Sequence, residues 1–298
     1  MRPRGGPGRE RRRGEAKLTI SEWMKSATEA LAESGCPDPA VDARWIAEDV
    51  LRMSAAELRF EGQNAPEGAQ LARMNEYLRR RQEGEPVQYI LKRADFMGLK
   101  LYVDNRVLIP RQDTETLVEA AVIALQTKKR PRVLDLCTGS GAIGLSIGTL
   151  VPGAEITLSD VSLGALEVAR RNAHDLNVEA TLRHGDLFKA VGREKFDLIA
   201  SNPPYIRTSE MESLQREVRF EPAIALDGGL DGLLFYRRIA EEAPTHLSPG
   251  GSLYLEVGLG EARDVMDMLR NRAEIGETGI LKDLCGVERV VWARMEQE

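Results

Sequence analysis

Val133-Leu-Asp-Leu-Cys-Thr-Gly-Ser-Gly-Ala-Ile-Gly144 is the stretch whose reading decides the fold. An apolar run, Arg132–Cys137, leads into a glycine-rich turn and then into a helical stretch, Ala142–Leu150. Gly139 and Gly141 let the backbone turn tightly and approach a ligand with no Cβ in the way. A strand–turn–helix of this kind holds a ligand at a helix N-terminus, outside the carboxyl ends of the strands. Gly139-Ser-Gly141-Ala-Ile-Gly144 also satisfies the GxGxxG pattern of dinucleotide sites.

Outward from that turn, strand and helix signals alternate. Helices are predicted at Thr114–Thr127, Leu163–Asn177, Leu233–Ala243 and Glu261–Asn271. Strands are predicted at Glu155–Ser159, Thr181–His184, Phe196–Ala200 and Ser252–Val257, with strand-like runs near Ile280–Cys285 and Glu288–Ala293. Strands separated by helices imply an α/β, Rossmann-like, doubly wound and mostly parallel sheet over 111–298. Asp135 lies in the first of these strands, and Asp160 ends the second (ITLSD) about 20 residues after the glycines, where an acid takes the hydroxyls of a ribose. NAD and S-adenosylmethionine are served equally by it.

Upstream, residues 17–84 read as a small helical domain. Thr19 or Ser21 caps a first helix that carries Trp23, Met24, Ala27 and Leu31 at helical spacing and stops at Gly35. Asp38–Leu51 and Gly68–Gln82 repeat the pattern. Nothing in this domain resembles a catalytic constellation, so packing or docking of a partner is its expected task. Residues 85–110 change character: GEPVQYI, LKLYV and RVLIP are short β-rich runs, and Asp104-Asn105 suggests a hairpin in a linker. Residues 1–16, rich in Gly, Pro and Arg, read as a disordered basic tail.

Composition removes several classes of function. The net charge is −6, yet residues 1–15 carry six arginines against two glutamates, a local +4 that leaves the remainder at −10. An acidic body opposes a broad phosphate-binding surface. Three scattered cysteines, Cys36, Cys137 and Cys285, make neither a disulfide framework nor a zinc site, and suit a reducing cytoplasm. His174, His184 and His246 do not cluster, so no metal is expected. No apolar stretch is long enough to span a membrane.

Two further motifs carry chemistry. In His184-Gly-Asp-Leu187, after the third strand, Asp186 is placed to accept from an adenine amine, with Leu187 beside it. Ser201-Asn-Pro-Pro-Tyr-Ile206 follows strand FDLIA directly. Two prolines continue neither a central strand nor a helix, and make a stiff platform at the strand's carboxyl end. The Asn202 amide oxygen and the Pro203 carbonyl are acceptors that suit one planar NH2 group, while Tyr205 supplies a flat face. An amide or adenine nitrogen is a poor nucleophile because its lone pair is delocalised. Holding both its N–H groups aims that lone pair at an electrophilic methyl, and the remainder is proximity. No general base is needed, since the nitrogen becomes acidic once methylated.

Together these motifs resemble class I S-adenosylmethionine-dependent methyltransferases of the amino-methylating, NPPY type. With PVQYILKRADFMGLKLYVDNRVLIPRQDTETLVE (86–119), EPAIALDGGLDGLLFYRRI (221–239) and LYLEVG (253–258), the chain from about residue 17 onward is similar to the HemK/PrmC family. That resemblance implies a seven-stranded methyltransferase sheet and S-adenosylmethionine as cofactor, without metal. It also implies methylation of the glutamine side-chain amide in the Gly-Gly-Gln motif of class 1 peptide chain release factors, by a cytoplasmic monomer that forms no stable complex with nucleic acid. Carried over by position, Cys137, Thr138, Gly139, Ser140 and Gly141 would line the methionine part of the cofactor. Asp160 would hold the ribose, and Asp186 and Leu187 would flank the adenine. Asn202, Pro203, Pro204 and Tyr205 would grip the glutamine amide, Asn202 also lying near the cofactor. Phe96, Arg111, Thr114 and Glu115 would wall the site, although Arg111–Glu115 also reads as a helix cap with a first-turn acid.

The chain departs from the family's pattern in places. Cys137 and Leu91-Lys92 stand where glycine is usual, and Leu187 where a tryptophan often stacks. A small residue is tolerated at 137 provided its φ is negative. The alternative substrate for the same platform is an adenine or guanine amine in DNA or RNA, which calls for a basic recognition surface.

Overall fold

The computed structural model describes residues 18–296; the basic tail read at 1–16 lies outside them. The chain divides into two compact units, with the boundary between Val87 and Gln88.

The helical unit is built from capped amphipathic helices. Thr19 and Glu22 form a reciprocal capping box at the start of α1 (Ile20–Glu33), and Ser54 and Glu57 form another at α3 (Ala55–Phe60), a helix absent from the reading above. Pro39 opens α2 (Pro39–Leu51), where its missing N–H costs nothing. Trp23, Ala27 and Leu31 of α1, Ile46 and Ala47 of α2, and Met74 of α4 (Gly68–Gln82) are all buried. The Trp23 indole donates to Asn75 at 2.8 Å, which satisfies its only polar group.

The segment 85–110, read as a linker with a hairpin at Asp104-Asn105, is corrected in three respects. From Gln88 onward it belongs to the second unit. Val87–Leu91 is a short helix, α5, and Lys92 follows it at φ +58. The hairpin lies earlier, between β1 (Ala94–Phe96) and β2 (Leu99–Leu101), with Met97 and Gly98 both at positive φ in the turn. Asp104 instead accepts from the Arg106 guanidinium and the Tyr102 hydroxyl. RVLIP forms no strand; Val107 and Ile109 pack with Tyr89 and Val168.

The remainder follows the predicted alternation. In order come α6 (Glu115–Leu125), β3 (Arg132–Leu136), α7 (Ala142–Leu150), β4 (Glu155–Asp160), α8 (Leu163–Asp175), β5 (Ala180–His184) and β6 (Phe196–Ser201). Then follow α9 (Leu234–His246), β7 (Leu247–Glu256), α10 (Ala262–Arg270), β8 (Ile275–Lys282) and β9 (Glu288–Met295). They form one seven-stranded sheet in the order β5-β4-β3-β6-β7-β9-β8. The five strands from β5 to β7 are parallel, and β9 and β8 close that edge antiparallel. The fold is thus the Rossmann-like, doubly wound sheet expected from the sequence, with seven strands. Leu134, Ile199, Leu253 and Val291 lie in the core on one side, and Val133, Leu198, Tyr254 and Val290 on the other.

The chain leaves β3 toward β4 on one side and returns to β6 on the other, so the sheet's switch point lies between β3 and β6. Register aligns the strand ends there. Leu136 pairs with Ser159 and with Ser201. Cys137, Asp160 and Asn202 therefore leave three adjacent strands at one level, where open α/β sheets carry their ligands.

Candidate active site

The glycine-rich turn is held from behind. The Thr138 hydroxyl donates to Asp135 Oδ2 at 2.6 Å, and the Gly144 N–H donates to the same oxygen at 2.8 Å. Asp135 is fully buried, burial pushes its carboxyl up to about 7, and it lines no part of the cavity. It buttresses the turn rather than sharing the ligand with Asp160. A Cβ on Gly144 would lie 2.9 Å from the Asp135 Cβ and 2.4 Å from Leu158 Cδ2, so that glycine serves the contact between helix and sheet. Gly141, at φ +84, caps α7 behind the cavity wall. Cys137 takes φ +60, a left-handed conformation that overturns the condition under which a small residue was expected to fit.

Asp160 lines the cavity with Cys137, Thr138, Gly139 and Ser140. Its carboxylate accepts from the Gly139 N–H at 2.9 Å and the Ser162 N–H at 2.8 Å, and burial raises its pKa. The Val161 N–H also favours its charged form, and acceptor capacity remains for a ribose hydroxyl. Leu187 lies on the same wall, buried and at φ +51. Asp186 is there too, but already engaged: Arg238 donates to both its oxygens at 2.7 Å and lowers its pKa. Arg238 and the neighbouring Phe235, both on α9 and both in the wall, were not singled out from the sequence.

The platform after β6 stands at the junction of two cavities. Asn202, Arg111, Leu108 and Ala225 line both. Pro204 and Thr114 face the first, Tyr205 faces the second, and Pro203 is buried without lining either. The Asn202 amide NH2 points to the Thr114 hydroxyl at 3.4 Å, which leaves its carbonyl oxygen as the free acceptor. Arg111 pairs with Glu221, whose other oxygen takes the Ile109 N–H at 3.0 Å. That pair ties the LIPR segment to the EPAIAL segment over the cavity.

Two expected wall residues lie elsewhere. Phe96 is in the core against α6 and lines neither cavity. Glu115 turns away and accepts from the Met97 N–H at 2.7 Å, fixing the β1–β2 turn. The helix-cap reading describes Glu115, and the wall reading describes Arg111 and Thr114.

The segment 227–232, DGGLDG, and Gly258 pack against the platform. The Ile206 N–H donates to Leu226 O at 2.9 Å, and the Gly228 N–H to Ile206 O at 2.7 Å. A Cβ on Gly228 would meet the Tyr205 Cα at 2.6 Å, and one on Gly232 would meet the Tyr205 carbonyl at the same distance. A Cβ on Gly258 would lie 3.1 Å from the Tyr205 ring. Tyr205 is thus gripped through positions where only glycine fits. Glycine density was the visible signal; its target was not.

Two family models match, the PrmC N-terminal domain over residues 22–91 and the methyltransferase small domain over residues 113–223. A release factor glutamine methyltransferase from Geobacter sulfurreducens is 40% identical over 277 residues, 93% of this chain and 95% of that protein. The chain belongs to the release factor glutamine methyltransferase family. A second member, from Bordetella pertussis, is 41% identical over 90% of this chain and 98% of its own. Among solved structures, a T. thermophilus 16S rRNA methyltransferase in complex with AdoMet and guanosine shares the fold alone. It shows 20% identity and a TM-score of 0.50, covering 68% of this chain and 50% of that one. The family match spans the helical unit and the sheet together, as the resemblance implied.

Proposed function

We propose that this chain transfers a methyl group from S-adenosylmethionine to the side-chain amide nitrogen of the glutamine in the Gly-Gly-Gln motif of class 1 peptide chain release factors. One observation carries the reading: Asn202 stands where the two cavities meet, with its NH2 turned to Thr114 and its carbonyl free. A free amide carbonyl there is an acceptor for an incoming amide NH2. The full-length relatives named for this reaction support the same substrate. An adenine or guanine substrate is less well supported, because the chain outside its first fifteen residues carries −10.

The first cavity's residues fit the cofactor. Asp160 has acceptor capacity left for a ribose hydroxyl. Leu187 and Phe235 offer apolar faces for an adenine, and the backbone of 137–140 offers polar groups for the amino-acid end. When bound, S-adenosylmethionine supplies an electrophilic methyl group. The Asn202 carbonyl oxygen holds an N–H group of the acceptor amide, Tyr205 limits its tilt, and Pro203 and Pro204 stiffen the backbone between them. The proton leaves to water after transfer. The bacterial cytoplasm and a monomeric enzyme complete this reading. Among the described residues no helix is long and apolar enough to cross a membrane.

Asn202→Ala tests it. Methyl transfer should fall by about 100-fold, the order of loss for a misplaced acceptor, while cofactor affinity changes far less. Equal loss of both would assign Asn202 to the cofactor instead.

A further inference from the structure

Strand β7 ends behind the Asn-Pro-Pro-Tyr platform, at Glu256. Its side chain is 1% exposed and lines neither cavity. The Tyr205 hydroxyl donates to Oε1 at 3.3 Å. Oε2 is buried with no hydrogen-bond partner. Burial pushes this carboxyl up to about 7, while the Thr114 hydroxyl against it and the Arg289 guanidinium favour its charged form. Thr114 is the group that receives the Asn202 amide NH2. One carboxyl therefore reaches both ends of the Asn-Pro-Pro-Tyr platform, Tyr205 directly and Asn202 through Thr114.

A buried carboxyl with an unpartnered oxygen is costly. We infer that Glu256 is a positioning residue that orients the acceptor platform. Above about pH 7, where it is ionised, the Glu256 carboxyl only accepts, so a hydroxyl against it turns its proton inward. Thr114 so turned can only accept from Asn202, which keeps the amide NH2 on Thr114 and the carbonyl oxygen toward the cavities. Without that acceptor the Thr114 proton is free to swing to the Asn202 oxygen, and the amide is free to flip. The long distances in this chain of groups suit a site that tightens when substrate binds. The inference rests on the reading of Asn202 and Tyr205 as the grip on the acceptor amide.

Glu256→Gln keeps the shape and removes the obligate acceptor. With a class 1 release factor as substrate, kcat should fall by about 10-fold, with cofactor Kd unchanged because Glu256 touches no part of that cavity. In a Tyr205→Phe background the same substitution should cost less than it does alone, since coupled groups are not additive. Unchanged kcat, a parallel loss of cofactor binding, or losses that simply multiply would each overturn the assignment. Asn202→Ala in the same assay separates the two ideas. If it stays active, the reading of the grip fails; if it is inactive while Glu256→Gln is not, only the role of Glu256 fails.

Discussion

Cys137 shows how one dihedral angle overrides side-chain size. It takes φ +60, and Leu187 and Lys92 take φ +51 and +58, all three in the left-handed region that favours glycine. A non-glycine residue held there costs about 1–3 kcal/mol, and the surrounding contacts must offset it. Relief of that strain should exceed the entropy cost of a glycine, so Cys137→Gly is predicted to raise stability by about 0.5–1 kcal/mol. Cys137→Val, branched at Cβ, should lower it. Denaturant melts of both variants check this, and a less stable glycine variant would contradict the account. The thiols give a second prediction. Burial pushes the Cys36 thiol up to about 11 and the Cys137 thiol up to about 12, whereas Cys285 is exposed. Only the thiolate reacts, so an alkylating reagent on the native protein should label Cys285 well ahead of the other two, as peptide mass mapping would record.

Elements explain why the site is stiff. The 227–232 segment lies on Tyr205 through glycines, with a virtual Cβ on Gly228 only 2.6 Å from the Tyr205 Cα. Gly228→Ala must push that backbone aside. It should depress methyl transfer strongly and cost about 1–3 kcal/mol of stability, as overpacking does, while cofactor binding survives in the first cavity. Retained turnover would show that Tyr205 tolerates the shift. Legibility in the sequence divides along the same line. The alternating elements were readable because each carries its own apolar period, and Ala142–Leu150 and Gly68–Gln82 match their predicted bounds. The Val87–Leu91 helix was not, because five residues with Val87, Tyr89 and Ile90 buried read as strand when tertiary packing is unknown. Asp160 and Asn202 are legible as candidates because they stand at the carboxyl ends of strands. Glu256 and Gly228 escaped because what they touch is far away in the sequence: 51 residues separate Glu256 from Tyr205. Phe96 and Glu115 were misplaced for the same reason: proximity to a motif in sequence did not carry into space.

At the scale of the molecule, the second unit buries carboxyls to build its site. Burial pushes Asp135, Glu256 and Glu261 up to about 7, above the ordinary carboxyl values of about 4 in an unfolded chain. Between those values the folded protein binds protons that the unfolded chain has released. These groups therefore weaken stability as pH rises from about 4 to 7. Asp135→Asn removes one such group, so its Tm should fall less steeply than that of the wild type between pH 5 and 8; a parallel slope would contradict the burial argument. Asp160→Ala should weaken cofactor binding by about 1.5–3 kcal/mol, the worth of a charge-assisted hydrogen bond, as equilibrium dialysis would measure. The central claim concerns the acceptor nitrogen, and one experiment addresses it most directly. Purified protein and tritiated S-adenosylmethionine are incubated with a class 1 release factor, and with the same factor whose Gly-Gly-Gln glutamine has been replaced. Label is expected on the first and none on the second; label on neither, with label appearing instead on DNA or ribosomal RNA, would contradict a glutamine amide as the methyl acceptor.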